Sequence, residues 1–181
     1  VDTFEFSLSL FSCMFIYGRD SSIGLNNLGN VVPLSTNIMN NKAEEVIVLG
    51  IESSCDDTSC AVFRNDKRLS NVVCTQKIHE NYGGVVPELA SRIHLQNIIP
   101  TVSAALQEAD VKLSEIDVIA YTRGPGLIGS LLVGSSFAKS LSLALKKPLV
   151  EVNHMQAHIL AHFIQPKIGI KKVPEFPFLC L

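Results

Sequence analysis

The chain has 181 residues, 47% of them apolar and only 18% charged, with 15 basic residues against 17 acidic ones and a formal net charge of -2. This excludes a disordered polyelectrolyte, which is polar and strongly charged, and a uniformly basic nucleic-acid coat. With no tryptophan and 7% aromatics there is no aromatic-rich binding platform.

Residues 1–45 keep no helical or strand period, and asparagines crowd between Asn26 and Asn41. This stretch is expected to be an irregular N-terminal extension, with the folded part running from Val46 to Leu181. Val46 to Ile51 is a short apolar run rich in β-branched residues, the pattern of a buried strand. The polar segment Glu52 to Asp57 follows, then a second strand over Thr58 to Phe63. Asn65-Asp66 supplies turn chemistry, and Leu69 to Thr75 makes a third strand. Short polar connections between three strands predict an antiparallel meander.

Tyr82-Gly83-Gly84 breaks the pattern, and Pro87 suits the first turn of a helix, where its missing N–H costs nothing. Pro100 is expected to divide that helical stretch in two. A strand is predicted over Ile116 to Thr122, a tight loop over Gly124 to Gly129 and a small-residue helix over Ser130 to Leu145. Leu149 to Val152 reads as a strand, Asn153 as an N-cap and His154 to Ile164 as a helix. Phe176 to Leu181 begins one more strand. The order βββαβαβα predicts an α/β fold: a ribonuclease-H-like half of the actin-like/Hsp70-like ATPase fold, truncated before the second lobe.

Five widely spaced cysteines with no C-x-x-C predict neither a zinc ribbon nor a disulfide framework, but free buried thiols in a reducing compartment. Ser7 to Tyr17 is apolar, yet Asp2 and Glu5 precede it where a signal peptide carries basic residues. No stretch reaches about 18 consecutive apolar residues. A cytoplasmic chain without a membrane partner is expected.

Four constellations can carry chemistry. His154 and His158 lie four residues apart, so one helix face can offer both imidazoles to a metal. Met155 stands where the zinc-protease motif H-E-x-x-H has its general base, so a metallopeptidase would lack that base. Glu52 to Asp57 can orient a cation, a water or a proton, or can be a solvated turn. Gly124 to Gly129 allows close backbone approach, either for helix packing or toward a phosphate. Tyr82 to His94 is a helix start with an i,i+4 Glu88–Arg92 pair.

Together VLGIESSCDDTSCAV, YGGVVPELASRIH, TRGPGLIGSLLVG and VNHMQAHILAHF, in this order, resemble the TsaD family of tRNA adenosine threonylcarbamoyltransferases, formerly called O-sialoglycoprotein endopeptidases. The resemblance spans Val46 to Leu181. It implies transfer of a threonylcarbamoyl group from threonylcarbamoyl-AMP to the exocyclic amine of the adenosine adjacent to the anticodon, in tRNAs reading codons that begin with A. It also implies that His154 and His158 bind iron or zinc, that Asp56 and Asp57 form the catalytic acidic pair, and that His162 is structural. ATP or ADP is a further implied ligand. The implied partners are tRNA and the other proteins of the threonylcarbamoylation complex. A third metal ligand, an aspartate, and a glycine-rich adenylate-binding segment are implied beyond Leu181. The chain alone is therefore expected to be inactive, with a face left bare that the second lobe would cover. The alternatives are a shorter non-catalytic partner of the same fold, which lacks the histidine pair, and a metallopeptidase.

Overall fold

A computed structural model describes residues 45–65, 67–164 and 174–175. The expected extension, Glu45 apart, and the strand expected from Phe176 lie outside the described residues. The elements are β1 (Ile47–Glu52), β2 (Asp57–Arg64), β3 (Lys67–Thr75), a 3-10 segment (Lys77–Tyr82), α1 (Pro87–Ala109), a short 3-10 turn (Leu113–Glu115), β4 (Val118–Gly124), α2 (Ile128–Leu145), β5 (Leu149–Asn153) and α3 (His154–Leu160), which ends in a 3-10 turn (Ala161–Phe163).

The five strands form one sheet in the order β3-β2-β1-β4-β5. β1, β2 and β3 are an antiparallel meander, and β1, β4 and β5 run parallel. This is the ribonuclease-H-like topology expected from the order of elements. The central strand β1, IVLGIE, is buried at every position, as a strand covered on both faces must be. Period-2 alternation sorts its side chains. Ile47, Leu49 and Ile51 join Ile98, Val102 and Ala105 of α1 and Val133 and Ala138 of α2 in one core. Val48 joins Phe63, Val118, Val152, Ala157 and Ile164 in the other. The two helices on one face and α3 on the other thus complete three layers.

Two expectations need correction, and one element is added. α1 is a single helix that runs through Pro100. Pro100 and Gln96, whose carbonyl loses its donor, are both exposed, so water can take the missing bond. The segment before Gly83, for which the sequence predicts no element, is a 3-10 helix. It closes around buried His79, whose Nε2 donates to Gln76 Oε1 at 2.9 Å and whose Nδ1 accepts from the Val86 N–H at 3.3 Å. Gly83 ends it in the left-handed region, at φ 69°. Finally, α2 is by length and composition long and apolar enough to cross a membrane. Counting uninterrupted apolar residues missed it because serines punctuate the helix. Here α2 packs on α1 and the sheet through Ser130, Val133, Gly134 and Ala138, while Ile128, Leu132 and Leu143 are exposed.

Candidate functional site

Parallel strands end at the same edge of a sheet, and open α/β folds bind ligands outside those carboxyl ends. β1, β4 and β5 deliver three segments there: Ser53 to Asp56, Pro125 to Leu127, and the start of α3.

Glu52 closes β1 and is only 2% exposed. A buried carboxylate requires hydrogen-bond donors. The Ser54 N–H donates to Oε1, and the Thr122 hydroxyl, from β4, donates to Oε2. His154 arrives from β5. The Asn153 side chain caps α3, its Oδ1 accepting from the N–H groups of Met155 (3.0 Å) and Gln156 (3.1 Å). That cap sets His154 Nδ1 3.0 Å from Ser54 Oγ and 3.9 Å from Glu52 Oε2. One turn on, the His158 ring lies edge-to-face with that of His154, centroids 4.8 Å apart and planes at 80°. Burial and then the neighbouring His154 push the His158 imidazole below its ordinary range, toward the neutral form.

These features fit a metal ligand pair. A ligating imidazole is neutral and has its other ring nitrogen held by a polar partner. Ser54, backed by Glu52, is such a partner for His154 Nδ1. Among the described residues no group of three or more His, Cys, Asp or Glu side chains converges on one point.

Asp56 and Asp57 are both half-buried, on the same loop as Ser54. Asp57 opens β2 opposite Thr75. Burial raises its carboxyl above the usual range; the Thr75 hydrogen bond opposes this, Asp56 adds to it, His94 opposes it, and Glu52 adds. Its Oδ1 is buried without a hydrogen-bond partner. The segment also carries Cys55, which is exposed rather than buried, while Cys74 is half-buried and Cys60 buried; all three are free. Desolvation and the adjacent Asp56 push the Cys55 thiol up to about 11, which leaves it a poor nucleophile.

His94 on α1 is fully buried. Its Nδ1 lies 2.7 Å from Thr58 Oγ1 and its Nε2 3.0 Å from the Cys55 carbonyl oxygen. Burial holds its pKa below the ordinary 6.5. A group depressed in the fold contributes stability above its unfolded value, and that stability is lost as pH falls through the folded value. Chemical denaturation at pH 7.5 and pH 5.5 should therefore show a loss of stability on acidification, and the loss should be smaller in His94→Gln.

The glycine loop answers its own question. A Cβ on Gly126 would lie 2.5 Å from the Ser54 carbonyl oxygen, and one on Gly134 would lie 2.3 Å from Ser53 Oγ. The Leu127 N–H donates to the Ser54 carbonyl at 2.7 Å, and Ser53 Oγ donates to the Ser130 carbonyl at 2.8 Å. The close approach is to the acidic segment itself, so these two glycines position Ser53 and Ser54. Sequence reasoning placed Ser54 and His94 in two separate candidate segments without bringing them to one site, and missed Thr122 altogether. Two signals were available: a polar residue at the end of the expected strand Ile116 to Thr122, and a histidine on an otherwise apolar helix period, at His94.

Residues 67–181 match the family model described as TsaD, tRNA N6-adenosine threonylcarbamoyltransferase. The chain is 61% identical over 138 residues to a protein of that name from Porphyromonas gingivalis, and 62% identical over 138 residues to one from Riemerella anatipestifer; each match covers 76% of this chain and 40% of the relative. The chain thus spans about 40% of the length of the curated relatives it matches. Among solved structures, YeaZ from Pseudomonas aeruginosa is similar with a TM-score of 0.49 and 25% identity, over 60% of this chain and 43% of that one.

Proposed function

Because the chain belongs to the TsaD family of tRNA N6-adenosine threonylcarbamoyltransferases, we propose that it is the part of such an enzyme that carries the histidine pair and the acidic loop. The reaction is transfer of the threonylcarbamoyl group of threonylcarbamoyl-AMP to the exocyclic amine of a tRNA adenosine beside the anticodon. The observation that carries this reading is the setting of Ser54 and Glu52 against His154, with His158 one turn on, at the carboxyl ends of β1 and β5, in a chain 61% identical to a named transferase over 138 residues.

His154 and His158 would hold iron or zinc, which when bound supplies a Lewis acid for an oxygen of the adenylate. The other steps belong to the chain. Ser54 and Glu52 orient the His154 ring. Asp57, whose raised pKa brings it closer to neutral, takes the proton that the attacking amine sheds as AMP leaves. Asp56 keeps a second carboxylate beside it. Cys55 stays out of the chemistry, so the acyl group passes directly from adenylate to amine. ATP or ADP as a bound ligand, the other proteins of the pathway as partners and a cytoplasmic site of action belong to the same proposal; the free thiols suit a reducing compartment.

The test uses a protein of the relatives' full length, with threonylcarbamoyl-AMP and tRNA carrying an unmodified adenosine next to the anticodon. Labelled threonine should become acid-precipitable with the tRNA, and the modified nucleoside should appear on digestion. No incorporation, with an authentic transferase active in parallel, overturns the reading.

A further inference from the structure

We propose that His94 is a positioning residue for the Asp56–Asp57 pair: one buried imidazole carried by α1 grips the chain immediately before and immediately after the two aspartates. The proposal rests on the transferase reading of this site.

The hydrogen-bond geometry fixes how the ring is used. Its Nε2 faces the Cys55 carbonyl oxygen at 3.0 Å. A carbonyl only accepts, so Nε2 carries the proton and donates. In the neutral ring Nδ1 is then the acceptor, and the Thr58 hydroxyl donates to it at 2.7 Å. Cys55 precedes Asp56, and Thr58 follows Asp57. The two contacts thus bracket the acidic dipeptide and leave it little freedom beyond its own side-chain torsions. The Cys55 carbonyl accepts a second bond from Ser130 Oγ of α2 at 3.0 Å, so both helices of one layer hold the same peptide group. Thr58 is 1% exposed and His94 is 0% exposed, so water does not replace either contact. Asp57 itself has no hydrogen bond at Oδ1. Its aim therefore depends on the Thr75 hydrogen bond and on its backbone, which the β2–β3 ladder holds on one side and His94 grips at both ends of the dipeptide. Helix packing alone would place an apolar residue here, as it does four residues on at Ile98.

A small displacement of a reacting group costs about 10²-fold in rate, so the grip should be visible in kcat. The variants are His94→Leu, His94→Asn, Thr58→Val and the double variant His94→Leu/Thr58→Val, each in the full-length protein. Measured are kcat, KM for threonylcarbamoyl-AMP, bound metal and the thermal midpoint. In His94→Leu, kcat should fall about 100-fold, with KM within about twofold and metal content unchanged. Thr58→Val, which removes one contact, should cost about tenfold. The double variant should be no slower than His94→Leu, because both changes remove the same contact. Unchanged kcat in His94→Leu overturns the proposal. So does a loss of kcat shared equally by KM and metal content, which is the signature of general damage. Should His94→Leu fail to fold, His94→Asn and Thr58→Val decide the matter alone, and unchanged kcat in both overturns it. Absence of transfer in the wild type instead overturns the transferase reading. In that case amide exchange across residues 53–59 tests the grip directly: exchange about tenfold faster in Thr58→Val supports it, and unchanged exchange overturns it.

Discussion

Replacing His154 and His158 with alanine in the full-length protein is expected to bring bound metal to background and to lower threonylcarbamoyl transfer by more than about 100-fold. The magnitude follows from the oriented ring. Removing only a residue that holds a ligating imidazole costs about 10–100-fold in metal affinity or activity, so removing the ligands must cost more. Folding should survive. Both histidines are only half-buried, and alanine is the best helix former. The 3-10 turn that ends α3 contains the control. His162, one turn beyond His158, is read as structural, so His162→Ala should retain the metal. Elemental analysis of the purified variants checks both statements, and metal retained in the double variant would sink the assignment of the pair.

A large effect on stability that a second substitution can reverse is expected from a single methyl group at Gly134. Ser53 Oγ lies where that methyl would go, at 2.3 Å, and Oγ is fixed by the Ser130 carbonyl at 2.8 Å and the Gly134 N–H at 3.1 Å. Gly134→Ala must turn Ser53 Oγ out of both hydrogen bonds or move α2 away from Ser53, at a cost of about 1–3 kcal/mol, read as a lower denaturant midpoint. Removing the obstacle should restore part of the loss. With Ser53→Ala, the nearest remaining Ser53 atom is Cβ at 3.3 Å, so the double variant should be more stable than the sum of the two singles predicts. Gly126 offers the contrast. Its obstacle is the Ser54 backbone carbonyl at 2.5 Å, which no side-chain substitution removes. Additive behaviour of Ser53→Ala and Gly134→Ala would show that the clash is relieved in some other way.

The fold was legible because its signals are local. The apolar run at Val46, the turn at Asn65 and the N-cap at Asn153 each act within a few residues, and the order of elements then determined the topology. Asn65 adopts φ 54°, a left-handed conformation that asparagine tolerates, and the Asn153 cap forms as expected. The continuity of α1 was hidden because whether Pro100 breaks a helix depends on where the orphaned carbonyl points, a property of the packed molecule. The site divides in the same way. His154 and His158 are paired by helical spacing, which a sequence displays. Glu52 and Thr122 are paired by the adjacency of β1 and β4, which only the sheet creates. His94 looked like an ordinary helix residue because both of its partners lie 36 or 39 residues earlier.

The central position of β1 has a consequence for how the chain is made. β1 has two neighbours, and they arrive at very different times. β2 follows at once, so the meander can close as soon as Lys67–Thr75 has been synthesised. β4 comes later: Ile47 N–H is held by Asp117 Oδ2 at 3.0 Å, across 70 residues. At ribosomal speeds of about 5–20 residues per second that interval lasts on the order of ten seconds. Throughout it the nascent chain presents IVLGIE as an unpaired apolar edge, the kind of template that recruits foreign strands. The parallel pairing of Val48–Ile51 with Val118–Tyr121 is what closes that edge.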